Sequence, residues 1–292
     1  MKLCIRCGSK FNGVDWKCPS CSFIPGRVEG HFSFTSEITG GRDGFNGGHF
    51  SKLAAVEDSN FWFASRRDLI LWVLRHYFPK SKNFLEIGCG TGYVLAAIEK
   101  RFSKHSVYGS EICSGGLRFA ARRLKQTCLF QMDARNLPFE NEFDTIGAFD
   151  LLEHVTEDEL VLSELYRAVA TGGGLVLTVP QHRFLWSSWD ELSCHKRRYT
   201  RKELSDKVTR VGFRVIRMTS FISLLLPVLI IKRLMFHRRR ELHTRCGAFA
   251  DLNLPKLINA VFGKVCNIEN WILRRGASLP AGGSLLCVAM KG

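Results

Sequence analysis

A strand that runs into a glycine-rich turn and then into a helix constrains the fold of this chain most. The apolar segment 84–87 is followed by Gly88-Cys89-Gly90-Thr91-Gly92, and segment 93–99 continues as an apolar helix. Glycine lets the backbone approach a ligand closely, and a helix N-terminus offers free amide groups. This order predicts a loop that binds a cofactor of the nucleotide type.

Later strands continue the same alternation with helices. They are predicted at 106–110, 128–132, 143–149 and 175–180. Such alternation predicts a parallel sheet covered by helices on both faces, with ligands at the carboxyl ends of its strands. Glu111 ends the second strand, where an acid can accept hydrogen bonds from ribose hydroxyls. Asp133 and Ala134 follow the third strand, where a carboxylate and an amide can bind adenine.

These motifs together resemble the class I S-adenosylmethionine-dependent methyltransferases. The resemblance rests on Leu-Glu-Ile-Gly-Cys-Gly-Thr-Gly at 85–92, on Glu111 and Asp133, and on Asp-Leu-Leu-Glu-His-Val at 150–155. It covers about 80–217 and is similar to the group of ubiquinone-biosynthesis O-methyltransferases and lipid methyltransferases. It implies an α/β fold with a Rossmann-like, seven-stranded, mainly parallel sheet and helices on both faces.

The resemblance also implies which residues bind S-adenosylmethionine. Gly88, Gly90 and Gly92 would line its methionine part, Glu111 its ribose and Asp133 its adenine. The full implied set is Glu86, Gly88, Cys89, Gly90, Gly92, Glu111, Ile112, Asp133, Ala134 and Phe149. A dehydrogenase is disfavoured, because Gly-x-Gly-x-Gly differs from the dinucleotide pattern Gly-x-Gly-x-x-Gly.

Four polar residues are the candidates for catalysis. Asp150, Glu153 and His154 are spaced i, i+3 and i+4, which places them on one side of a helical turn. His182 follows the neighbouring fifth strand and is expected to approach them. Methyl transfer needs alignment of donor and acceptor, and a base only when the acceptor is acidic. The cluster is therefore an acid/base group, a divalent-metal site or a structural turn.

Two C-x-x-C pairs at the N-terminus predict a structural zinc ion. Cys4 and Cys7 are separated by ten residues from Cys18 and Cys21, which is the ligand pattern of a Cys4 zinc ribbon. A redox or incidental pairing is the alternative. About twenty residues cannot bury a useful core, so bound metal would supply most of the folding energy of this module.

The predicted division of the chain has five parts. They are a zinc ribbon at 1–26, a glycine-rich linker at 27–57, a methyltransferase core at 58–217, a helical insertion at 218–282 and a last core strand at 283–292. Within the core, periodicity predicts a helix at 58–78 and another at 157–170, which Gly172–Gly174 would end.

The insertion combines an apolar run with a basic cluster. Residues 221–231 are almost wholly apolar, and the next nine residues include five Lys or Arg. The run is too short to span a bilayer, so a core helix or an interfacial membrane element remain as alternatives. Segment 196–245 has fifteen basic and three acidic residues, which is +12 of the net +15. This concentration of positive charge favours contact between 221–240 and an anionic membrane surface.

The sequence thus predicts a methyltransferase that uses S-adenosylmethionine on a small-molecule, isoprenoid, lipid or envelope-glycan precursor at a membrane face. The N-terminus has no apolar signal segment, so we expect a cytoplasmic protein, peripheral on the inner face of the membrane. The rivals are an RNA methyltransferase that grips phosphates with its ribbon and basic segment, and a non-enzymatic adaptor that retains the fold. Nucleic acid is disfavoured because the basic segment alternates with aliphatic rather than stacking aromatic residues.

Overall fold

A computed structural model describes residues 1–13, 15–35, 47–237 and 254–292. The strands are β1 (Lys2–Leu3), β2 (Lys10–Phe11), β3 (Gly26–Val28), β4 (His31–Ser33), β5 (Asn83–Ile87), β6 (Ser106–Ser110), β7 (Cys128–Gln131), β8 (Phe143–Phe149), β9 (Val169–Pro180), β10 (Phe213–Phe221) and β11 (Ser284–Lys291). The α-helices are α1 (Gly47–Val56), α2 (Phe61–Tyr77), α3 (Tyr93–Arg101), α4 (Ser114–Arg123), α5 (Asp158–Ala168), α6 (Ser188–Leu192), α7 (Arg201–Arg210), α8 (Leu226–His237) and α9 (Lys256–Arg274).

A nine-stranded mixed sheet forms the centre, in the order β10-β11-β9-β8-β5-β6-β7-β4-β3. The pairs from β9 to β4 are parallel, whereas β11 lies antiparallel between β9 and β10. The seven strands from β5 to β11 are the sheet that the resemblance implies, and their α/β, Rossmann-like arrangement is confirmed. The sheet continues by two further strands at one edge.

The two extra strands, β3 and β4, occupy part of the segment 27–57 that was predicted to be a linker. Glu29 and Gly30 both have positive φ, at 51° and 83°, and this two-residue turn joins β3 to β4 as a hairpin. Strand β4 then pairs with β7. Gly30, one of the glycines in this segment, therefore serves a hairpin turn, and α1 occupies the end of the same segment. Residues 36–46 of the predicted linker lie outside the described residues.

Helices cover both faces of the sheet. One core joins the sheet to α5, α7 and the N-terminal module, and the other joins it to α2, α3, α4 and α9. Strand β9 begins at Val169, so the predicted break at Gly172–Gly174 is wrong and these glycines lie within the strand. The Phe78 ring packs there: a Cβ on Gly174 would lie 1.9 Å from its Cε1.

The N-terminal module packs directly onto the sheet. Its Trp16 ring lies 4.4 Å from that of Phe34 and 5.6 Å from that of Phe139, measured between centroids. The Leu3 amide donates to the Pro138 carbonyl at 3.0 Å. The module therefore shares a hydrophobic core with the sheet.

The segment after β10 is helical in its described parts. Helices α8 and α9 confirm helical structure in the predicted insertion, although β10 extends four residues beyond the predicted core boundary at 217 and ends at Phe221. The basic residues Arg238–Arg240 lie outside the described residues. No helix in the described part of the chain is long and apolar enough to cross a membrane.

Candidate active site

A cavity of about 820 Å³ opens at the carboxyl ends of the parallel strands. One end is lined by the glycine-rich loop, Glu111 and Asp133, and the other by α8, the start of α9 and the segment after β9. This is the position at which parallel α/β sheets bind their ligands, and the volume is within the usual range for small-molecule sites.

The glycine-rich loop wraps closely around the end of β5. Gly88, Gly90 and Gly92 have φ of 73°, 54° and 75°, which side chains rarely adopt. A Cβ on Gly88 would lie 2.8 Å from Leu151 Cδ1, whereas a Cβ on Gly90 would meet only Phe50, at 3.9 Å. Gly88 therefore allows tight packing, and Gly90 leaves open space on the cavity side.

Glu111, which follows β6, connects the end of that strand to this loop by hydrogen bonds. Its carboxylate accepts hydrogen bonds from the Gly90 amide at 3.0 Å and the Cys113 amide at 2.9 Å. Burial raises the pKa of Glu111, although these amides oppose the shift. The side chain lines the cavity with Ile112. It is thus held at the strand tip where the sequence predicts a ribose contact.

Asp133 and Ala134 lie at the end of β7 and also line the cavity. The Asp133 carboxylate pairs with Arg135 at 2.7 Å. Burial alone would raise the pKa of Asp133, but hydrogen bonds from Arg135 outweigh burial and lower it. The Asp133 carboxylate, which is predicted to bind adenine, is therefore ionised and held by Arg135.

Glu86 and Glu153 are two buried carboxyl groups on the cavity wall. Glu153 is fully buried, and neither of its oxygens has a hydrogen-bond partner; Glu86 Oε2 also lacks one. Burial raises the pKa of each to about 8, although Arg66 lowers both. Both groups are therefore mostly protonated at neutral pH.

Arg66 is the cation between these carboxyl groups. It is buried, forms an ion pair with Asp150, and stacks 4.5 Å from the centroid of the Trp62 ring. Asp150, which has φ of 55°, is thereby held by a cation. A base role for Asp150 would require that it leave this ion pair.

His154 and His195 form a polar centre at the other end of the cavity. Their rings pack edge to face at 4.6 Å, and Glu153, His154 and His195 each place one ligand-type atom within 4.8 Å of the others. Burial and then His195 lower the pKa of His154 to about 3, so its ring is neutral. The geometry suits both an acid/base cluster and a divalent metal ion, and these two alternatives stay open beside a purely structural turn.

Asp190 orients His195. The carboxylate is fully buried and lies 2.8 Å from His195 Nδ1, and it accepts hydrogen bonds from Arg198 and Ser187. Although burial would raise the pKa of Asp190, His195 and Arg198 lower it strongly. The segment after β9 thus supplies a fixed imidazole to the cavity.

His182 lies apart from this cluster. It is not among the described residues that line the cavity, and its ring stacks on Phe184 at 5.0 Å. The expected approach of His182 to Glu153 is therefore not seen.

The other predicted cofactor residues Cys89 and Phe149 line the cavity, and Gly92 lies behind the cavity wall, against Ala120.

Three contributors were missed by sequence reasoning. Arg66 and Asp190 were given no role in the site, and Glu57 fell in the predicted linker at 27–57. Glu57 accepts hydrogen bonds from Thr91 in the glycine-rich loop and from Arg123 on α4, so it anchors α1 beside the cavity. The buried position of Arg66 in α2 follows the helical period of Leu69, Ile70 and Val73, a signal the sequence already contained.

The four N-terminal thiols converge on one point. The Cys4, Cys7, Cys18 and Cys21 sulfurs lie within 4.8 Å of one another, with Cys4–Cys21 and Cys7–Cys18 separations of 3.6 Å. A tetrahedron of thiolates at Zn–S distances of about 2.3 Å has sulfur–sulfur edges of roughly 3.8 Å. The donor set and its spacing fit a zinc ion.

Comparison with known proteins finds similar methyltransferases. A methyltransferase domain family matches residues 85–177. Ajmaline N-methyltransferase of Rauvolfia serpentina is 26% identical over 194 residues, covering 64% of this chain and 63% of that enzyme. A ubiquinone/menaquinone biosynthesis C-methyltransferase of Desulfotalea psychrophila is 30% identical over 105 residues, covering 34% and 41%.

The fold also matches solved structures. An S-adenosylmethionine-dependent methyltransferase of Thermotoga maritima aligns with a TM-score of 0.51 at 17% identity, covering 84% of this chain and 95% of that one. The matches span less than two thirds of the length of these curated relatives. In its domain match, its fold and its glycine-rich loop, the chain is similar to the class I S-adenosylmethionine-dependent methyltransferases.

Proposed function

We propose that this protein transfers a methyl group from S-adenosylmethionine to a small-molecule acceptor. The observation that carries the proposal is the single cavity that joins the glycine-rich loop and Glu111 to the polar centre at Glu153, His154 and His195. Methyl transfer is an in-line substitution, so donor and acceptor must share one enclosed space from which water is excluded.

The acceptor side of the cavity favours a molecule with an apolar body. Its walls include Phe61, Trp62, Leu185, Leu225 and Phe262. Relatives are named for ajmaline, for ubiquinone/menaquinone biosynthesis and for phosphatidylethanolamine. The acceptor group would meet Glu153 and the two imidazoles, where it can lose a proton if it is a hydroxyl.

In the bound state, S-adenosylmethionine would supply an already activated methyl group. Glu111 would hold its ribose and Asp133 with Ala134 its adenine, while the open side of Gly90 leaves room for the methionine part. The neutral His154 and the oriented His195 would accept the proton that the acceptor releases. Arg66 would keep the Asp150 carboxylate in place.

We also propose a structural zinc ion bound by Cys4, Cys7, Cys18 and Cys21. The ion would fix the module whose Trp16 enters the core of the sheet. This role explains why a short segment without a core of its own packs in one defined orientation.

Label transfer tests the proposed reaction. Purified protein is incubated with [methyl-³H]S-adenosylmethionine and separate lipid, RNA and small-molecule extracts. We expect label in the lipid or small-molecule extract, and none with Gly90→Arg, whose side chain would enter the cavity. The control is Gly26→Arg, an exposed glycine with no atom within 4 Å of its Cβ position.

Label in RNA alone would instead establish the nucleic-acid alternative. An absence of label in all three extracts, from a protein that binds the cofactor, would favour the adaptor reading and refute the proposal.

A further inference from the structure

Helix α9 has two apolar faces, and only one of them is used by the fold. On the inner face, Phe262 packs on Phe61 of α2 with ring centroids 5.4 Å apart, and Asn270 donates to Ser65. The outer face carries a second row, at spacings of four and three residues: Leu257, Val261, Lys264, Ile268, Trp271 and Arg275. All six side chains are exposed, and Leu257 is 76% accessible.

Helix α8 extends this apolar surface. Ten of the fourteen exposed large hydrophobic residues in the described chain lie on α8, on the turn before it or on α9. Leu234 and Met235 are the most accessible on α8, at 69% and 66%. The two helices are joined by the buried Glu269 of α9, which accepts hydrogen bonds from the amides of Ser223 and Leu224 before α8.

The charge of this surface has one sign. Helix α9 and the residue after it carry Lys256, Lys264, Arg274 and Arg275, and α8 carries Lys232 and Arg233. Glu269 is the one acidic residue of either helix in the described chain, and it is 2% exposed. Apolar side chains bordered by the cations of α9 complement an anionic bilayer, whereas two copies of such a surface would repel each other.

The surface also borders the candidate active site. Val228 and Lys232 of α8 and Phe262 of α9 line the cavity, together with Leu254 just before α9. A molecule lying in a bilayer under these helices would therefore face the apolar end of the cavity.

We propose that α8 and the outer face of α9 dock on an anionic lipid bilayer, with the helices in the plane of its interface, and that the acceptor enters the cavity from that bilayer. Docking needs no methyl transfer, whereas the acceptor route rests on the proposed function. The proposal places the main contact on α9, a helix to which the sequence gives no membrane role.

Vesicle flotation of the full chain tests the docking. The vesicles contain phosphatidylglycerol and phosphatidylcholine, or phosphatidylcholine alone. We expect binding to the anionic vesicles that weakens as salt is raised. Leu257→Glu should lower the partition coefficient at least about tenfold, because it removes one inserted leucine and adds a repelled charge. Lys264→Gln should lower it about fivefold, on anionic vesicles only.

The matched controls change exposed residues elsewhere. Leu160→Glu replaces a leucine of α5 that is 47% accessible, and Lys202→Gln removes a lysine of α7; neither should alter binding. A second readout is the blue shift of tryptophan emission on anionic vesicles, which should shrink in Trp271→Phe. This replacement leaves an aromatic ring in place and keeps the helix intact.

Equal binding by Leu257→Glu and the wild type would overturn the docking surface. So would a wild type that ignores anionic vesicles but forms dimers that Leu257→Glu dissociates, since the face would then contact a second copy. If vesicle binding follows the prediction while no extract is methylated, docking stands and the proposed reaction fails. If methylation of a lipid extract survives Leu257→Glu unchanged, the entry route is wrong although the reaction is right.

Discussion

Replacing Glu153 by Gln should change how the stability of this protein depends on pH. Glu153 is fully buried, and neither carboxyl oxygen has a hydrogen-bond partner. Burial raises its pKa from the ordinary 4.5 to about 8. The folded protein therefore keeps this proton over a pH range in which the unfolded chain has already released it.

The direction of the effect follows from this difference. Below pH 4.5 both states hold the proton, and Glu153 does not favour the unfolded chain. As pH rises from 4.5 towards 8, only the unfolded chain ionises, and the wild type loses stability relative to Glu153→Gln. The limiting slope is about 1.4 kcal/mol per pH unit, and the integrated loss is roughly 2.5 kcal/mol between pH 5 and pH 7. Above pH 8 the difference should level off.

Urea unfolding at intervals between pH 5 and pH 9 measures this difference. Subtracting wild type from Glu153→Gln cancels the titration of groups that both proteins share, including the N-terminal thiols. Glu191→Gln, at an exposed carboxyl, corrects for the general effect of removing one acid. A difference that stays within about 0.5 kcal/mol from pH 5 to pH 8 would refute the buried, unpaired state of Glu153.

Three other variants test the loop, the shared core and the thiol cluster. Gly88→Ala should cost about 1–3 kcal/mol in urea unfolding and weaken cofactor binding, because Gly88 has φ of 73° and a Cβ would lie 2.8 Å from Leu151; wild-type affinity would contradict this. Trp16→Ala should cost about 3–5 kcal/mol, since its ring packs on Phe34 in the shared core; a loss below 1 kcal/mol would show that the module is independent. Cys18→Ser should lower zinc content, measured by atomic absorption, from one ion per chain; unchanged content would exclude this site.

Local patterns predicted the strands that position the site. Strands 106–110 and 143–149 have the expected bounds, since each is a short apolar run between turn residues. The order glycine-rich loop, Glu111, Asp133 also placed one wall of the cavity correctly, because parallel strands end at the same edge.

Contacts between distant segments could not be read in the same way. The hairpin at 26–33 looks like a linker until its second strand pairs with β7, a contact across about a hundred residues. His182 follows β9, as expected. Its backbone has φ of 63°, however, and its ring stacks on Phe184. A side-chain direction of this kind depends on a local turn that strand order does not determine.

The polar centre at Glu153, His154 and His195 could also be predicted only in part, because it joins distant segments. Glu153 and His154 were found from their helical spacing, but His195 reaches them from a segment forty residues later. Its orientation depends on Asp190, whose burial and pairing with Arg198 exist only in the folded chain. Arg66 is similar, because a basic residue on an apolar helix face finds its acidic partners through tertiary packing alone.

Titration calorimetry with S-adenosylhomocysteine is the most direct test of the central claim, the cofactor site between the glycine-rich loop and Asp133. We expect saturable binding at one site per chain, abolished in Gly90→Arg and retained in Gly26→Arg. Absence of heat with the wild type at millimolar ligand, or equal binding by Gly90→Arg, would contradict the assignment of this cavity.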